Sequence, residues 1–187
     1  VNEHGGDPDG EGADTAPAQR DANEINAAGG VAVPSFYSIA SWDTAEEIIQ
    51  DAIKAFGRID AVINNAGILR DVIFHKMSKD DWDLVRAVNL DGYFYVSRAA
   101  APYFKEQGSG AFVHMTSTSG LIGNMGQANY SAAKLGVAGL SKSIAIDMQR
   151  FNVRSNCLSP FAWSRLIGTI PTETPEEQAR AAKIQQM

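Results

Sequence analysis

Tyr130 and Lys134 stand four apart in "GQANYSAAKLG" (126–136), a run of small residues that otherwise reads as helix. Four residues is just over one helical turn, so both side chains leave one face and their heads can meet. A free phenol titrates at about pH 10, so it exchanges protons near neutrality only if its anion is stabilised. An ammonium one turn away does this by Coulomb attraction. Ser117 directly follows the apolar run "AFVHMT" (111–116). A hydroxyl there can cap a turn, or donate a hydrogen bond to a substrate oxygen as charge develops on it. Asn89 lies mid-helix in "RAVNLDG", where asparagine is a poor helix former and gains little from packing. "NNAG" (64–67) follows the run "IDAVI" (59–63), either as an ordinary turn or as a ligand contact. No side chain supplies a hydride, so a reaction built on these groups calls for a nicotinamide cofactor.

The chain must bring these residues together. Residues 4–13, rich in Gly, Asp and Pro, read as a loop, and 16–28 as a helix closed by Gly29 and Gly30. The strand "VAVPSF" (31–36) follows. Asp43 with Glu46 forms a capping-box pattern, and Ile48, Ile49, Ala52, Ile53 and Phe56 recur at helical spacing until Gly57. "IDAVI" is a short strand of buried type. After Ser78 a helix is predicted to about Lys105, with carboxylates in its first turn where the helix dipole favours them. "AFVHMT" is the next strand, 127–150 the next helix and "VRSNCL" (153–158) a further strand. Thr174, Pro175 and Glu177 open a last helix. Strand and helix alternate, which predicts one α/β domain over residues 1–187: a parallel sheet covered on both faces, with the four features at the carboxyl ends of its strands.

Composition narrows the partners. The chain has 187 residues, 44% of them hydrophobic, enough for a real core. A net charge of −6 without a Lys/Arg cluster argues against nucleic acid and against an anionic membrane surface, and no apolar run approaches the length of a membrane span. The first residues are acidic and glycine-rich, without the basic-then-apolar pattern of a signal peptide. Cys157, the single cysteine, lies in an apolar stretch and reads as a buried, inert thiol in a reducing compartment. His4, His75 and His114 lack metal-ligand spacing, so no metal centre is expected and each reads as a loop or packing residue. Tyr93, Phe94, Tyr95 and Val96 are too many for one helix face, which suggests either an oligomer surface or core burial.

In order and spacing, Ser117, "YSAAK" (130–134), "NNAG" (64–67) and Asn89 resemble the short-chain dehydrogenase/reductase family, and the resemblance runs over nearly the whole chain. It implies a doubly wound, Rossmann-type parallel sheet and a NAD-dependent oxidoreductase that interconverts a secondary alcohol and a ketone. It also implies a homodimer or homotetramer, cytoplasmic, or peroxisomal in a eukaryote. By the resemblance Tyr130 is the general acid/base, and Lys134 lowers its pKa and binds the nicotinamide ribose. Ser117 orients the carbonyl and Asn89 holds a relay water. On the cofactor side, besides Tyr130 and Lys134, Asn65, Ala66 and Gly67 lie near the ribose. Ser38 and Ile39 line the adenine pocket, and Pro160 borders the nicotinamide.

"VNEHGGD", "FGRIDAVINNAGILRD", "DDWD" and "GNMGQANYSAAKLG" are more closely similar to the (3R)-hydroxyacyl-CoA dehydrogenase unit of peroxisomal multifunctional enzymes of type 2 and their bacterial relatives. That implies a 3-hydroxyacyl thioester as substrate. The alternatives are a 3-oxoacyl-carrier-protein reductase, a hydroxysteroid or other alcohol dehydrogenase and, from another class, a non-catalytic remnant acting as an interaction module. Glu3 stands where these relatives carry Asp. An acid at that strand end binds the adenosine ribose diol and repels a 2′-phosphate, favouring NAD over NADP. The other reading of Glu3 is an exposed acid in an acidic loop. Two departures are visible. Phe161-Ala162-Trp163 replace small residues after Pro160, and the family's Gly-rich turn and first strand are not in the 187 residues. On this reading Val1-Asn2 is the tail of the second strand, and the sheet lacks its first strand, its phosphate-binding turn and its last strand.

Overall fold

The computed structural model describes residues 1–160 together with Thr174, Pro175, Gln178, Ala179 and Ala182. Its first unit is small. Residues 1–3 and 33–35 run parallel, joined by a bridge between Asn2 and Ser35 and by Ser35 N–H donating to the Val1 carbonyl (2.8 Å). The helix α1 (Ala16–Ala27) connects them and buries Ala18 and Ala22. Asn26 fixes the return, accepting from Ala32 N–H (2.7 Å) and donating to its carbonyl (3.1 Å). The predicted strand over 31–36 is therefore reduced to one bridge. Pro34 has no N–H to extend a ladder, and Val31 is exposed.

The second helix, α2 (Trp42–Phe56), starts one residue before Asp43, so the predicted Asp43/Glu46 capping box is not formed. Asp43 lies inside the first turn, facing the helix dipole, and Glu46 instead accepts from the Trp42 indole (3.0 Å). A capping box does form at the next helix, α3 (Lys79–Arg86), between Ser78 and Asp81.

Among the described residues three strands make the sheet: β1 (Ala61–Asn64), β2 (Gly110–Met115) and β3 (Val153–Leu158), parallel and in that order. Parallel neighbours need long crossovers. The first runs through α3, a π-helical segment over Ala87–Asp91 and α4 (Gly92–Gln107); the second runs through α5 (Thr118–Ile122) and α6 (Ala128–Met148). Right-handed crossovers stepping one way along a sheet place their helices on one face. Here α4 meets that face through Phe104 on Phe112 (4.9 Å) and Ser97 on Asn64 (2.9 Å), and α6 meets it through Ser141 on Ser155 (2.8 Å). Ala45, Ile49, Val62, Val96, Ala100 and Val153 complete the core, and each fully buried ring or large aliphatic contributes about 1.5–3 kcal/mol. The expected cover on both faces is not seen among the described residues, where the other face is open at Ile63 (64% exposed) and Leu158. The strand order never reverses between β1 and β3, so neither crossover returns on that side. The result is an α/β, Rossmann-type parallel sheet.

One further expectation is corrected. Cys157 is exposed: β3 is an edge strand among the described residues, and although the thiol donates to the Val137 carbonyl of α6 (3.9 Å), the residue stays open to solvent. The apolar run 93–96 divides: Tyr93 and Val96 are core, as one of the two expected readings had it, while Phe94 and Tyr95 pack against Trp42 of α2 at tilted and edge-on angles (6.1 and 5.7 Å). The predicted Phe161-Ala162-Trp163 departure and Glu177 lie outside the described residues. No described helix is long and apolar enough to cross a membrane.

His114 is fully buried in β2. Asn64 Nδ2 donates to its Nδ1 (3.1 Å), which assigns the ring proton to Nε2, facing Ser155 Oγ (3.2 Å). Burial lowers its pKa to about 4. The unfolded chain, with an ordinary imidazole, therefore takes up a proton first as pH falls. This stabilisation is complete above about pH 6.5 and is lost between there and about pH 4, a change of up to about 3 kcal/mol. Urea melts across this range should show the loss, and His114→Gln, which cannot charge, should flatten it.

Candidate active site

The first turn of α6 presents Tyr130, and β2 ends two residues before Ser117. Ser117 caps α5, its Oγ accepting Ser119 N–H (3.2 Å), and the same hydroxyl is near enough to the Tyr130 phenol to favour its ionised form. The turn-cap reading of this serine is the one seen here. Burial pushes the Tyr130 pKa up, the Ser117 hydroxyl opposes this, and the Asp71 carboxylate adds to the rise. The phenol is protonated at neutral pH, ready to donate.

Lys134 is one turn further along α6 and is almost completely buried. Its Nζ donates to the Tyr93 hydroxyl (3.0 Å) and the Met115 carbonyl (2.9 Å), and lies 5.7 Å from the centre of the Tyr130 ring. Burial lowers its pKa to about 7. The lysine backbone is pinned as well, since Thr116 Oγ1 donates to its carbonyl (2.6 Å). Gly120 lets α5 approach this turn: a Cβ there would stand 2.8 Å from Leu135 N and 2.9 Å from the Lys134 carbonyl carbon.

Asn89 sits in the π segment, fully buried. Its Nδ2 donates to the carbonyls of Val85 and Ile68 (both 3.0 Å), giving Val85 a partner where the π turn shifts the backbone ladder by one residue. Its Oδ1 is buried without a partner among the described residues. Gly67 faces it, and a Cβ there would lie 2.8 Å from that Oδ1 and 3.8 Å from Lys134 Nζ. The asparagine that broke the helical pattern thus borders the same space as the lysine.

The other sequence-selected residues are spread along the same edge, each following the carboxyl end of a strand or bridged segment. Asn65 and Ala66 are exposed after β1, and the Ala66 carbonyl accepts from Tyr93 Oη (2.9 Å). Glu3 follows the Asn2 bridge and donates its N–H to Ser35 O (3.1 Å). Ser38 Oγ accepts from Ala40 N–H (3.2 Å), Ile39 packs against Gly92, and Pro160 is exposed beyond β3. Ser117, Tyr130, Lys134, Asn89 and Gly67 form one cluster, and Glu3, Ser38, Ile39 and Pro160 lie on other segments of the same edge.

Sequence reading missed several residues around this cluster. Asn129 is buried and takes Tyr130 N–H on its Oδ1 (2.8 Å), while its Nδ2 donates to Arg70 O and Asp81 O (both 3.0 Å). Gln127 donates to Asp71 (2.8 Å), and Val72 N–H donates to Gly126 O (2.8 Å). Arg70 in turn binds Glu11 and the Asp9 carbonyl. Segment 70–72 is therefore laced to the entry of the Tyr130 helix. The signal was present in "ILRD" and in an asparagine just before the tyrosine, but the partners are far apart in sequence. Tyr93 was absorbed into an aromatic run.

The short chain dehydrogenase family profile matches residues 12–165. A Mycobacterium tuberculosis protein named as a short-chain type dehydrogenase/reductase is 47% identical over 178 residues, covering 95% of this chain and 62% of that protein. The peroxisomal hydratase-dehydrogenase-epimerase of Neurospora crassa is 47% identical over 170 residues, 91% of this chain and 19% of that enzyme. The crystal structure of a short chain dehydrogenase from Mycobacterium avium superimposes with a TM-score of 0.77 at 40% identity, covering 86% of this chain and 57% of that one. The chain thus spans less than two thirds of the length of these relatives.

Asp71→Asn removes a negative charge that opposes ionisation of Tyr130 and keeps an acceptor for Gln127. It should lower the Tyr130 titration midpoint, by less than burial raises it, since the Asp71 charge is the smallest of the causes acting on this phenol. The difference between ultraviolet titrations with and without Tyr130→Phe in each background reads this directly.

Proposed function

This chain belongs to the short-chain dehydrogenase family, and from that membership we propose that it interconverts a secondary alcohol and a ketone with a nicotinamide cofactor. The observation that carries the reading is the convergence of Ser117, just beyond the end of β2, with Tyr130 and Lys134 on the first turns of α6, the Lys134 ammonium lying 5.7 Å from the centre of the Tyr130 ring. The residues present fit the cofactor at its nicotinamide-ribose end. Asn89 Oδ1 is buried without a partner, Gly67 leaves the space that a Cβ would occupy, and one of the three Lys134 donors is unengaged among the described residues. Bound there, the cofactor supplies or takes up the hydride.

In the reductive direction the Ser117 hydroxyl donates to the ketone oxygen, and Tyr130, kept protonated by burial, delivers a proton to it as negative charge develops. In the oxidative direction the Tyr130 phenolate removes the alcohol proton. Charged Lys134 favours that phenolate. Asn89 offers its free Oδ1 to a water between itself and Lys134, a route by which the lysine proton is replaced.

The proposed substrate is a 3-hydroxyacyl thioester and its ketone. The similarity to the hydratase-dehydrogenase-epimerase supports this reading. So does the apolar surface of the two loops that meet at Val72 and Gly126, where Phe74, Ile122 and Met125 are exposed and suit an acyl chain. Glu3 supports NAD over NADP through its repulsion of a 2′-phosphate.

The natural full-length protein should reduce acetoacetyl-CoA with NADH in preference to NADPH by about tenfold or more, and Glu3→Ala should narrow the gap. Equal use of both cofactors would overturn the NAD assignment. Tyr130→Phe should lower turnover by about two to four orders of magnitude while leaving NADH affinity nearly unchanged. Stopped-flow reduction and NADH fluorescence titration separate the two effects, and a Tyr130→Phe rate above about a tenth of the parent would refute the acid/base role.

A further inference from the structure

Tyr93 occupies a place that a core aromatic does not need. It opens α4 directly after the π segment, is fully buried, and stacks on His114 (6.2 Å between ring centres). Packing alone would be served by phenylalanine. The hydroxyl is spent elsewhere: it donates to the Ala66 carbonyl in the turn after β1 (2.9 Å) and accepts from Lys134 Nζ (3.0 Å), whose ammonium also lies 4.6 Å from the Tyr93 ring centre. Desolvation raises the phenol pKa far above its usual range, so the hydroxyl stays neutral and keeps both roles.

We infer that Tyr93 is a positioning residue whose hydroxyl ties the Lys134 ammonium to the Ala66 carbonyl, so that one phenol sets both the turn facing the cofactor and the cation beside Tyr130. The inference rests on the function proposed above for its catalytic consequence, but not for its geometry. Without the hydroxyl, Lys134 keeps the Met115 carbonyl as its one acceptor among the described residues, and the Ala66 carbonyl loses its Tyr93 donor. The titratable or polar groups facing Lys134 are Tyr130 on its own helix, Tyr93 from α4, Asn89 from the π segment and the Met115 carbonyl from β2. His114 lies behind Tyr93, and the Asp71 charge acts on Tyr130.

The test is Tyr93→Phe in the natural full-length protein carrying isotope-labelled lysine, with the Lys134 resonance assigned by its loss in Lys134→Arg. The Lys134 midpoint, about 7 in the parent, should fall by about half a pH unit or more, since the charged form loses an acceptor. Turnover should drop about tenfold with KM for the ketone changed less than about twofold, and the alkaline limb of the rate profile should move to lower pH. Ser97→Ala, which removes a buried hydroxyl from the same helix face, is the structural control and should leave the Lys134 midpoint in place. An unchanged midpoint and turnover in Tyr93→Phe, or an equal shift in Ser97→Ala, would overturn the inference. If Tyr93→Phe does not fold, the parent decides: a slowly exchanging Tyr93 hydroxyl proton with cross-relaxation to the Lys134 ε protons supports the inference, and its absence refutes it. If the parent shows no dehydrogenase activity, the proposed function fails while the Lys134 midpoint still decides the role of Tyr93.

Discussion

A lysine buried to 2% exposure is the constraint on which the rest of this site depends. Removing an ammonium from water costs several kcal/mol, and only oxygen atoms at hydrogen-bond distance offset it. Those oxygens come from separate elements, the Met115 carbonyl from the end of β2 and the Tyr93 hydroxyl from the start of α4. To supply both, α4 and α6 must lie side by side on one sheet face, and the order of β1, β2 and β3 places them there. The offset is incomplete, as the lowered pKa of Lys134 records.

The same burial acts in opposite senses on Tyr130 and Lys134. It raises the phenol of Tyr130 and lowers the amine of Lys134, so both are biased to their neutral forms. A neutral phenol is the form that donates a proton, and a lysine poised near neutrality can lose and regain one. Interactions that favour the charged forms are local: the Ser117 hydroxyl on Tyr130, and the two acceptors on Lys134.

Backbone irregularity serves the same end. The π segment turns Asn89 into the space beside Gly67 and Lys134, where a regular helix would have continued its own ladder. Across the site, Asn129 and Gln127 hold the start of α6 against segment 70–72, so Tyr130 emerges from a turn fixed by side-chain amides as well as by the helix. Arg70 extends that lacing to the acidic loop through Asp9 and Glu11.

Sequence alone determined what depends on neighbours close along the chain. The Tyr130/Lys134 spacing, the apolar runs of β1, β2 and β3, the amphipathic α2 and the misfit of Asn89 all follow from helical and strand periodicity. Tertiary structure decided what depends on partners far apart. The bond from Lys134 to Tyr93 spans 41 residues and that from Asn129 to Arg70 spans 59, separations at which no local pattern specifies a contact. Cys157 was misread for the same reason: an apolar run predicts a strand, but its place at the outer side of the sheet decides whether that strand is covered. The Asp43/Glu46 box failed because the helix starts two residues earlier than that box requires, with Ser41 at the N-cap, and such a shift moves every capping position. Periodicity specifies which residues share a face, and only the packed chain specifies what that face meets.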